Sequence, residues 1–422
     1  MQTLKIIHIS TYATGGAGIA AYRIHEALLE NGIASRFLCM DNSMHSTLKE
    51  CYRFPRPTYS LYQRLINKAN RVFNRYYFLG KLIPSKYFNR RLSSIRSRLI
   101  CDVASLPFST INILEHPLVK NADIIHLHWV AGMLDYPSFF EENIKPVVWT
   151  FHDLNPALGL FHYMEDEKRN GDIAGELNND VVEFKKNIIQ KRKFNLNIIC
   201  PSRWLLNGIS KSNIVKYVTK SCIPYPINTA IFSPKKTDIL RESLNIPSDN
   251  TIFLFVSQTV VHYRKGFDLL IAALQQIQSN AITLLTVGYA VEENLLACGL
   301  NIINMGVIGD EELLSNYYSL ADAFIIPSRE DNLPNVMLES LACGTPVLCF
   351  NTGGMATVIK DLHTGLKASE INANSLQEVI QQFIKEKHQF SSDSIRNFAI
   401  DNYSNQHVAQ QYREVYKALL IE

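Results

Sequence analysis

The tightest constraint on the fold lies between Ile325 and Cys349, in the run IIPSREDNLPNVMLESLACGTPVLC. An apolar segment, Phe324 to Ile326, is cut by Pro327 and followed by the polar loop Ser328-Arg329-Glu330-Asp331-Asn332. A helix is predicted from near Pro334, because proline suits the first helical turn, where its missing N–H would have no partner anyway. Val336, Leu338, Leu341 and Ala342 form its expected inner face; Gly344 stops it, and Pro346 opens the next apolar strand, Val347 to Phe350. The unit is strand–loop–helix–strand with Asp331 in the loop and Glu339 one turn into the helix. Helix N-termini attract anions through free N–H groups and the helix dipole. Carboxylates accept hydrogen bonds from hydroxyls. Together they suit a ligand carrying both phosphates and hydroxyls, as a nucleotide-sugar does.

The chain has 422 residues, which at roughly 150 per domain predicts two or three domains. With 47% hydrophobic and 19% charged residues the composition is that of a globular protein. No apolar run reaches the roughly 20 residues a membrane span needs. The N-terminus, MQTLKIIHIS, enters a strand pattern directly, without the features of a signal peptide. A cytoplasmic chain without a span is expected, its eight scattered cysteines reduced.

The net charge of +3 conceals an asymmetry. Between Cys51 and Cys101 there is no acidic residue, but there are twelve basic ones and ten aromatics. Such a segment suits an anionic membrane surface or anionic acceptor. A solvated helical hairpin packed on its domain is the structural alternative, and nucleic acid is not the expected partner.

Elsewhere the chain alternates apolar runs with helical patterns. Leu4 to Ile9 fits a fully buried parallel strand, followed by the loop Thr11-Tyr12-Ala13-Thr14-Gly15-Gly16-Ala17-Gly18, a helix to Glu30 and a second strand, Ile33 to Cys39. The loop has neither dinucleotide-binding spacing nor a Walker lysine. Ala122 to Trp129, Lys145 to Asp153 and Asn197 to Cys200 are further strands, with Pro201 to Trp204 turning into a helix. A linker is expected in the proline-rich Cys222 to Pro234. The pattern then restarts with strands at Ile252 to Val256, Ile282 to Val287 and Ile302 to Met305, helices at Phe267 to Ile277 and Asp310 to Ala321, and terminal helices near Leu376 to Lys385 and Asn405 to Leu420. The expected architecture is α/β: two Rossmann-like domains with a cleft between them, residues 1–222 and 223–404, the first carrying the basic segment 51–101 and completed by helix 405–422. Ligands of such sheets bind at the carboxyl ends of the strands.

Two constellations carry chemistry. Arg264-Lys265-Gly266 joins a strand end to a helix, and two cations beside helix N–H groups suit a diphosphate leaving group. His152-Asp153 ends a strand where cleft residues sit. No metal site is expected: His126 and His128 are expected to diverge, and neither a His-x-x-x-His pair nor an Asp-x-Asp pair is present.

These elements resemble the retaining glycosyltransferases of family four (group 1), which have the GT-B fold of two facing Rossmann-like domains. The resemblance rests on GGAG at 15–18, FHD at 151–153, RKGFDLL from 264, PSREDNLPNVMLESLACGTPV from 327, TGG at 352–354 and TGL at 364–366. It implies transfer of a sugar from a UDP-, GDP- or ADP-sugar to a saccharide acceptor, lipid-linked or of the cell-envelope polysaccharide or lipopolysaccharide kind. It implies no cofactor, no metal, and an enzyme at most peripheral to the inner membrane face. Glu339 would hold the ribose hydroxyls, and Asp331 or Glu330 would meet the donor sugar. Asn332, Leu333 and Pro334 would line the donor, Asn335 would open the helix under the diphosphate, and Lys265 would bind that diphosphate. Where the family has an arginine five residues before the lysine, this chain has Val260, which leaves the role to Arg264. Thr357 replaces the usual acid after the double-glycine turn. Gly16 would admit the ligand to the N-terminal loop, and His152 would face the reacting sugar. The alternatives are a nucleotide-sugar epimerase of the same architecture and a non-catalytic nucleotide-sugar-binding protein.

Overall fold

The computed structural model describes residues 4–40, 48–55, 84–260, 262–277, 279, 281–289 and 299–421. The chain forms two compact units. Unit 1 comprises Met1–Cys200, Leu205–Cys222 and Arg413–Glu422; unit 2 comprises Pro201–Trp204 and Ile223–Tyr412. The expected 222/223 boundary differs in two places: Pro201–Trp204 group with unit 2, and the last helix, Asn405–Ile421, changes unit at Arg413 and not at its start.

Unit 1 is built on seven parallel strands: β1 (Lys5–Ser10), β2 (Ala34–Cys39), β3 (Cys51–Arg53), β4 (Ile124–Leu127), β5 (Val147–Thr150), β6 (Leu196–Cys200) and β7 (Thr219–Cys222). They lie in the order β3-β2-β1-β4-β5-β6-β7, so the direction of strand succession reverses between β1 and β4. The near-continuous apolar runs of β1, β4 and β5 are what strands covered on both faces require. The core is aromatic where β5 meets the helix Tyr136–Glu142: Tyr136 and Phe140 both pack on Trp149. The helix Gly171–Gln190 buries polar Asn178 and Lys185.

Unit 2 repeats the plan with six parallel strands: β8 (Thr251–Thr259), β9 (Ile282–Tyr289), β10 (Ile302–Asn304), β11 (Ala323–Ile326), β12 (Val347–Phe350) and β13 (Gly365–Ala368). Their order is β10-β9-β8-β11-β12-β13, reversing between β8 and β11. Phe253, Leu270, Ile325, Leu348 and Ile380 meet in its core. The helix after the polar loop runs Asn335–Ala342 with Pro334 at its cap. Its inner face differs slightly from the expected one: Met337 is fully buried, while Val336 is only half-buried.

Short β3 and β7 and the helix Ser392–Tyr403 escape the sequence patterns. β7 also takes in Cys222, the first residue of the expected linker.

Of the basic–aromatic segment, Arg56, Arg64, Lys68, Arg71, Arg75 and Lys81 lie outside the described residues. The described remainder includes the helix Pro84–Ile95, whose Phe88 and Leu92 share a core cluster with Leu177 and Val181. Arg91 there bonds to the Tyr87 hydroxyl at 2.8 Å, to Glu176 at 3.0 Å and to Asp180. Acids from a distant helix thus supply what the local sequence lacks. Among the described residues no helix is long and apolar enough to cross a membrane.

Candidate functional site

Each unit concentrates polar chemistry where its strand order reverses, the place where open α/β sheets bind ligands. In unit 2 this is the pair of loops after β8 and β11. Lys265 Nζ donates to Asp331 Oδ2 at 2.6 Å, and Arg264 Nη1 stands 3.6 Å from the same oxygen. Arg264 Nη1 also donates to the backbone carbonyl of Glu330 at 3.0 Å. The sequence left Asp331 and Glu330 as alternatives; the cations gather on the Asp331 side chain. Burial opposes ionisation of Asp331, but the charges of Lys265 and Arg264, the Lys265 hydrogen bond and the Asn332 N–H outweigh it and hold the carboxyl below its usual range.

Backbone packing fixes this loop from both sides. Gly266 has φ +71°, and a Cβ there would collide with the Pro327 carbonyl. Its absence lets the Arg329 N–H reach the Arg264 carbonyl at 2.8 Å. On the other side Gly353 (φ +61°) and Gly354 press against the carbonyls of Asp331 and Asn332, and the Gly354 N–H donates to Asp331 O at 3.0 Å. A side chain at either glycine would push the Asp331 loop away. Thr357, in place of the expected acid, donates to Gly354 O at 2.8 Å and closes that turn.

Arg329 welds the two loops at their outer edge. Its guanidinium makes two hydrogen bonds to Asp268, at 2.8 and 2.6 Å, and lies 4.0 Å from the centre of the Tyr263 ring. The Arg329 hydrogen bond is the main reason the Asp268 carboxyl titrates below its usual range. Nothing in the sequence distinguished Arg329 from a solvated loop residue. Leu333 and Pro334 are buried behind the loop and Asn335 opens the helix. Glu339, only 4% exposed, accepts a 2.9 Å hydrogen bond from the hydroxyl of fully buried Tyr318.

Unit 1 places a different chemistry at the same topological position. His8 and His126 are cross-strand partners on β1 and β4, and His128 follows β4. His126 and His128 do not diverge as expected. Positions two apart in a strand share a face, and the two rings stack with centroids 4.2 Å apart. His8 Nδ1 and His128 Nε2 are 2.8 Å apart, and His128 Nδ1 and His152 Nε2 are 3.0 Å apart. His126 meets the Tyr416 hydroxyl at 2.7 Å and the Thr150 hydroxyl at 2.8 Å. His25, behind them, meets Ser35 Oγ at 2.7 Å. Burial pushes all of these imidazoles below their ordinary range, His25 and His152 to about 4. They are neutral at physiological pH. Ring nitrogens of His8, His126 and His128 come within 4.8 Å of one another. Both nitrogens of His126 and both of His128 are already taken up by hydrogen bonds, so the cluster is built as a network and not as an open ligand set.

Beside it, a small pocket of about 20 Å³ is lined by Ser105, Trp129, Tyr136, His152, Asp153 and His162 among others. Asp153 Oδ2 accepts from Trp129 Nε1 at 2.8 Å and from His162 Nδ1 at 2.6 Å. Ser105 Oγ lies 2.8 Å from His162 Nε2. Burial would raise the Asp153 carboxyl, but His162, the Asn155 N–H and Trp129 together bring it below its usual value. The floor of this pocket rests on Lys185, whose Nζ donates to the carbonyls of Asn155 and Gly159 at 2.7 Å and of Leu158 at 3.1 Å. Burial lowers its pKa to about 7. Lys185 carried no distinguishing sequence signal.

The glycines expected as a loop after β1 instead form the first turn of the helix Gly15–Glu30, and they divide their labour unexpectedly. A Cβ at Gly18 would meet Ala13 C at 2.7 Å and Tyr12 O at 2.8 Å, whereas one at Gly16 would meet open space. Gly18 is demanded by the fold; Gly16 is the position with room beside it.

Residues 236–400 match the sequence model of the family described as glycosyl transferases group 1. A D-inositol 3-phosphate glycosyltransferase of Acidothermus cellulolyticus is 28% identical over 268 residues, 58% of this chain and 55% of that protein. The chain thus spans about half the length of the curated relatives it matches. Among solved structures, a sucrose-phosphate synthase from Thermosynechococcus elongatus superposes with a TM-score of 0.70 at 19% identity over 99% of both chains. Anabaena HepE in complex with UDP and glucose superposes at 0.65 and 16% identity, over 98% of this chain and 99% of the other. These likenesses establish the fold as GT-B, with its two parallel-sheet α/β domains.

Proposed function

We infer, from a chain whose residues 236–400 match the group 1 glycosyl transferases, that this protein moves a sugar from a nucleotide-diphosphate sugar to a saccharide hydroxyl. The observation that carries the reading is the Lys265–Asp331–Arg264 cluster, held at the carboxyl ends of β8 and β11 between two glycine contacts. The cations neutralise the diphosphate as its charge grows during departure of the sugar, and fixed groups do this without reorganisation cost. Asp331 in this reading orients Lys265 and accepts from a donor-sugar hydroxyl, while Glu339, held by Tyr318, accepts from the ribose. His152 meets the reacting sugar, and Gly16 admits the ligand beside the first turn of the helix Gly15–Glu30.

Retention follows if the acceptor attacks from the face the diphosphate leaves. The acceptor proton then passes to a departing phosphate oxygen, and no protein nucleophile is needed. The reaction is proposed to need no metal, so activity persists in EDTA; its complete loss would sink that part. An envelope or lipid-linked saccharide is the proposed acceptor class, met at a membrane face through the basic segment. Failure of the protein to sediment with anionic vesicles at low salt would remove that part alone.

The primary experiment is a thermal-shift screen of UDP-, GDP- and ADP-sugars followed by transfer assays. UDP comes first, because the HepE structure contains it. With the donor that binds, Lys265→Ala should lower kcat/KM about 10²- to 10³-fold, the loss typical of a group that stabilises developing charge. Glu339→Ala should weaken donor affinity. Unchanged donor affinity and turnover in both variants would refute the assigned site. Free sugar-nucleotide isomers without an acceptor would show an epimerase, and binding without any turnover a non-catalytic protein.

A further inference from the structure

Ser105, His162 and Asp153 have no role in the proposed sugar transfer, yet they line one pocket of unit 1 as a connected set. Asp153 Oδ2 accepts from His162 Nδ1 at 2.6 Å, and His162 Nε2 stands 2.8 Å from Ser105 Oγ. Hydroxyl, imidazole and carboxylate in that order are the parts of an activated nucleophile, which is recognised by geometry and not by fold or chain position. The backbone holds the three together. Asp153 and His162 bracket a loop closed by the Asn155 amide, which donates to Leu160 O at 3.0 Å, and by Asn178, which accepts from the Leu160 N–H at 2.8 Å. Ser105 comes from a separate segment, docked on the same loop by its own N–H on Leu160 O at 3.0 Å and by the Ala104–Phe161 bridge.

The buried end sets the polarity of the set. Asp153 is buried, and its partners are donors: Trp129 Nε1 and His162 Nδ1 on one oxygen, the Asn155 N–H at 2.9 Å on the other. Burial opposes ionisation, but His162, the Asn155 N–H and Trp129 together outweigh it, so Asp153 is a carboxylate. A carboxylate only accepts. With the Nδ1 proton turned to it, the neutral imidazole presents a bare Nε2 to the Ser105 hydroxyl. A structural tie between these segments would not need a buried charge, which is costly to keep in the interior. Unlike His162, Ser105 is partly exposed. The pocket against it, about 20 Å³ with Leu134, Tyr136 and Trp149 among its walls, takes one water-sized group. The methyl of an acetyl group is of that size; a longer acyl chain is not.

We propose that Ser105 is a nucleophile activated by His162 and Asp153, and that it takes the acetyl group of small acetyl esters and passes it to water. Ser105 Oγ bonds to the acetyl carbonyl carbon while its proton moves to His162 Nε2. The ester C–O bond then breaks, and the alcohol departs with that proton. Water repeats the sequence on acetyl-Ser105, releasing acetic acid and restoring the serine. Asp153 stays ionised throughout and holds the imidazole in the required tautomer. The inference stands apart from the transferase reading, since it uses neither the donor loop nor His152.

The test is incubation of the full-length protein with p-nitrophenyl acetate. A stoichiometric burst of p-nitrophenolate is expected, then slower turnover, with the acetyl group located on Ser105 by peptide mass spectrometry. Acetyl on lysines alone, or no acetyl at all, overturns the proposal. p-Nitrophenyl butyrate should react about 10²-fold more slowly, since each methylene that a pocket cannot take costs about ten-fold or more. Equal rates for the two esters would overturn the assignment to acetyl groups. Ser105→Ala should abolish the burst, and a burst that survives it refutes the nucleophile. Asp153→Asn should lower the acetylation rate about 10³- to 10⁴-fold by allowing the wrong imidazole tautomer; an unchanged rate in the folded variant refutes the role of the carboxylate. Should that variant fail to fold, the acetylation site in the wild-type protein decides the matter by itself.

Discussion

The two units share one strand succession and fill its reversal point with opposite chemistry. In unit 1 the carboxyl ends of β1 and β4 carry imidazoles that burial keeps neutral. In unit 2 the loops after β8 and β11 carry charges that hold one another: Lys265 and Arg264 on Asp331, Arg329 on Asp268. Topology determines where a ligand can be met, and the side chains determine what is offered there. One reversal point offers directional N–H and lone-pair groups whose number is fixed by burial. The other offers fixed charge, whose strength is set by partners.

The contrast is broken most forcefully by acid. His8, His25, His126 and His128 are buried and titrate well below 6.5 when folded, His25 at about 4. Between those values the unfolded chain binds more protons than the folded one, so stability falls as pH drops from 6.5 toward 4. Four such groups give a slope of up to about 5 kcal/mol per pH unit. Asp331 and Asp268, whose folded pKa values are depressed, contribute stability that is present above their unfolded value near 3.9 and is lost only as pH falls through the lower folded value. Hydrogen exchange across pH 7 to 4 should therefore show β1 and β4 losing protection well before β8 and β11. Simultaneous loss would dissolve the distinction.

The next largest effect sharpens the unit 2 side. Gly353→Ala sets a Cβ against the Asp331 carbonyl at a φ of +61°, and should cost about 3 kcal/mol. Denaturant unfolding measures it, and a loss below about 1 kcal/mol would mean that the loop moves aside without strain. The smallest effect tests how much of the charged cluster is structural. Asp268 is 58% exposed, so Asp268→Asn should shift stability by less than about 1 kcal/mol. A larger loss in a thermal melt would give the Arg329 weld a structural weight its exposure does not predict.

Much of this was legible in the sequence. The apolar runs of β1, β8, β11 and β12 announced parallel strands, and the expected helix Phe267–Ile277 matches the observed one at both ends. Asp331, Lys265 and Arg264 were chosen from separate segments, and the fold brings them together. What escaped were elements without periodic signal, such as three-residue β3, and partnerships between residues far apart in the chain. Lys185 looks like any helix-surface lysine until the carbonyls of Asn155 and Gly159 close over it. His126 and His128 share a face and do not diverge, because a spacing of two in a strand is the spacing of neighbours on one side. The tight φ of Gly266 and Gly353 could be suspected from composition, but what each glycine must avoid is visible only in three dimensions.

The contacts that bracket residues 327–332 are backbone against backbone, Gly266 on Pro327 and Gly353 and Gly354 on Asp331 and Asn332. A jig of this kind is indifferent to which side chains it presents and intolerant of any change in loop length. Ligand preference can therefore drift among descendants of this fold by exchanging residues at Ser328, Glu330 or Asn332, one at a time, with the architecture intact. Insertions and deletions would have to appear elsewhere, in segments that no glycine holds down.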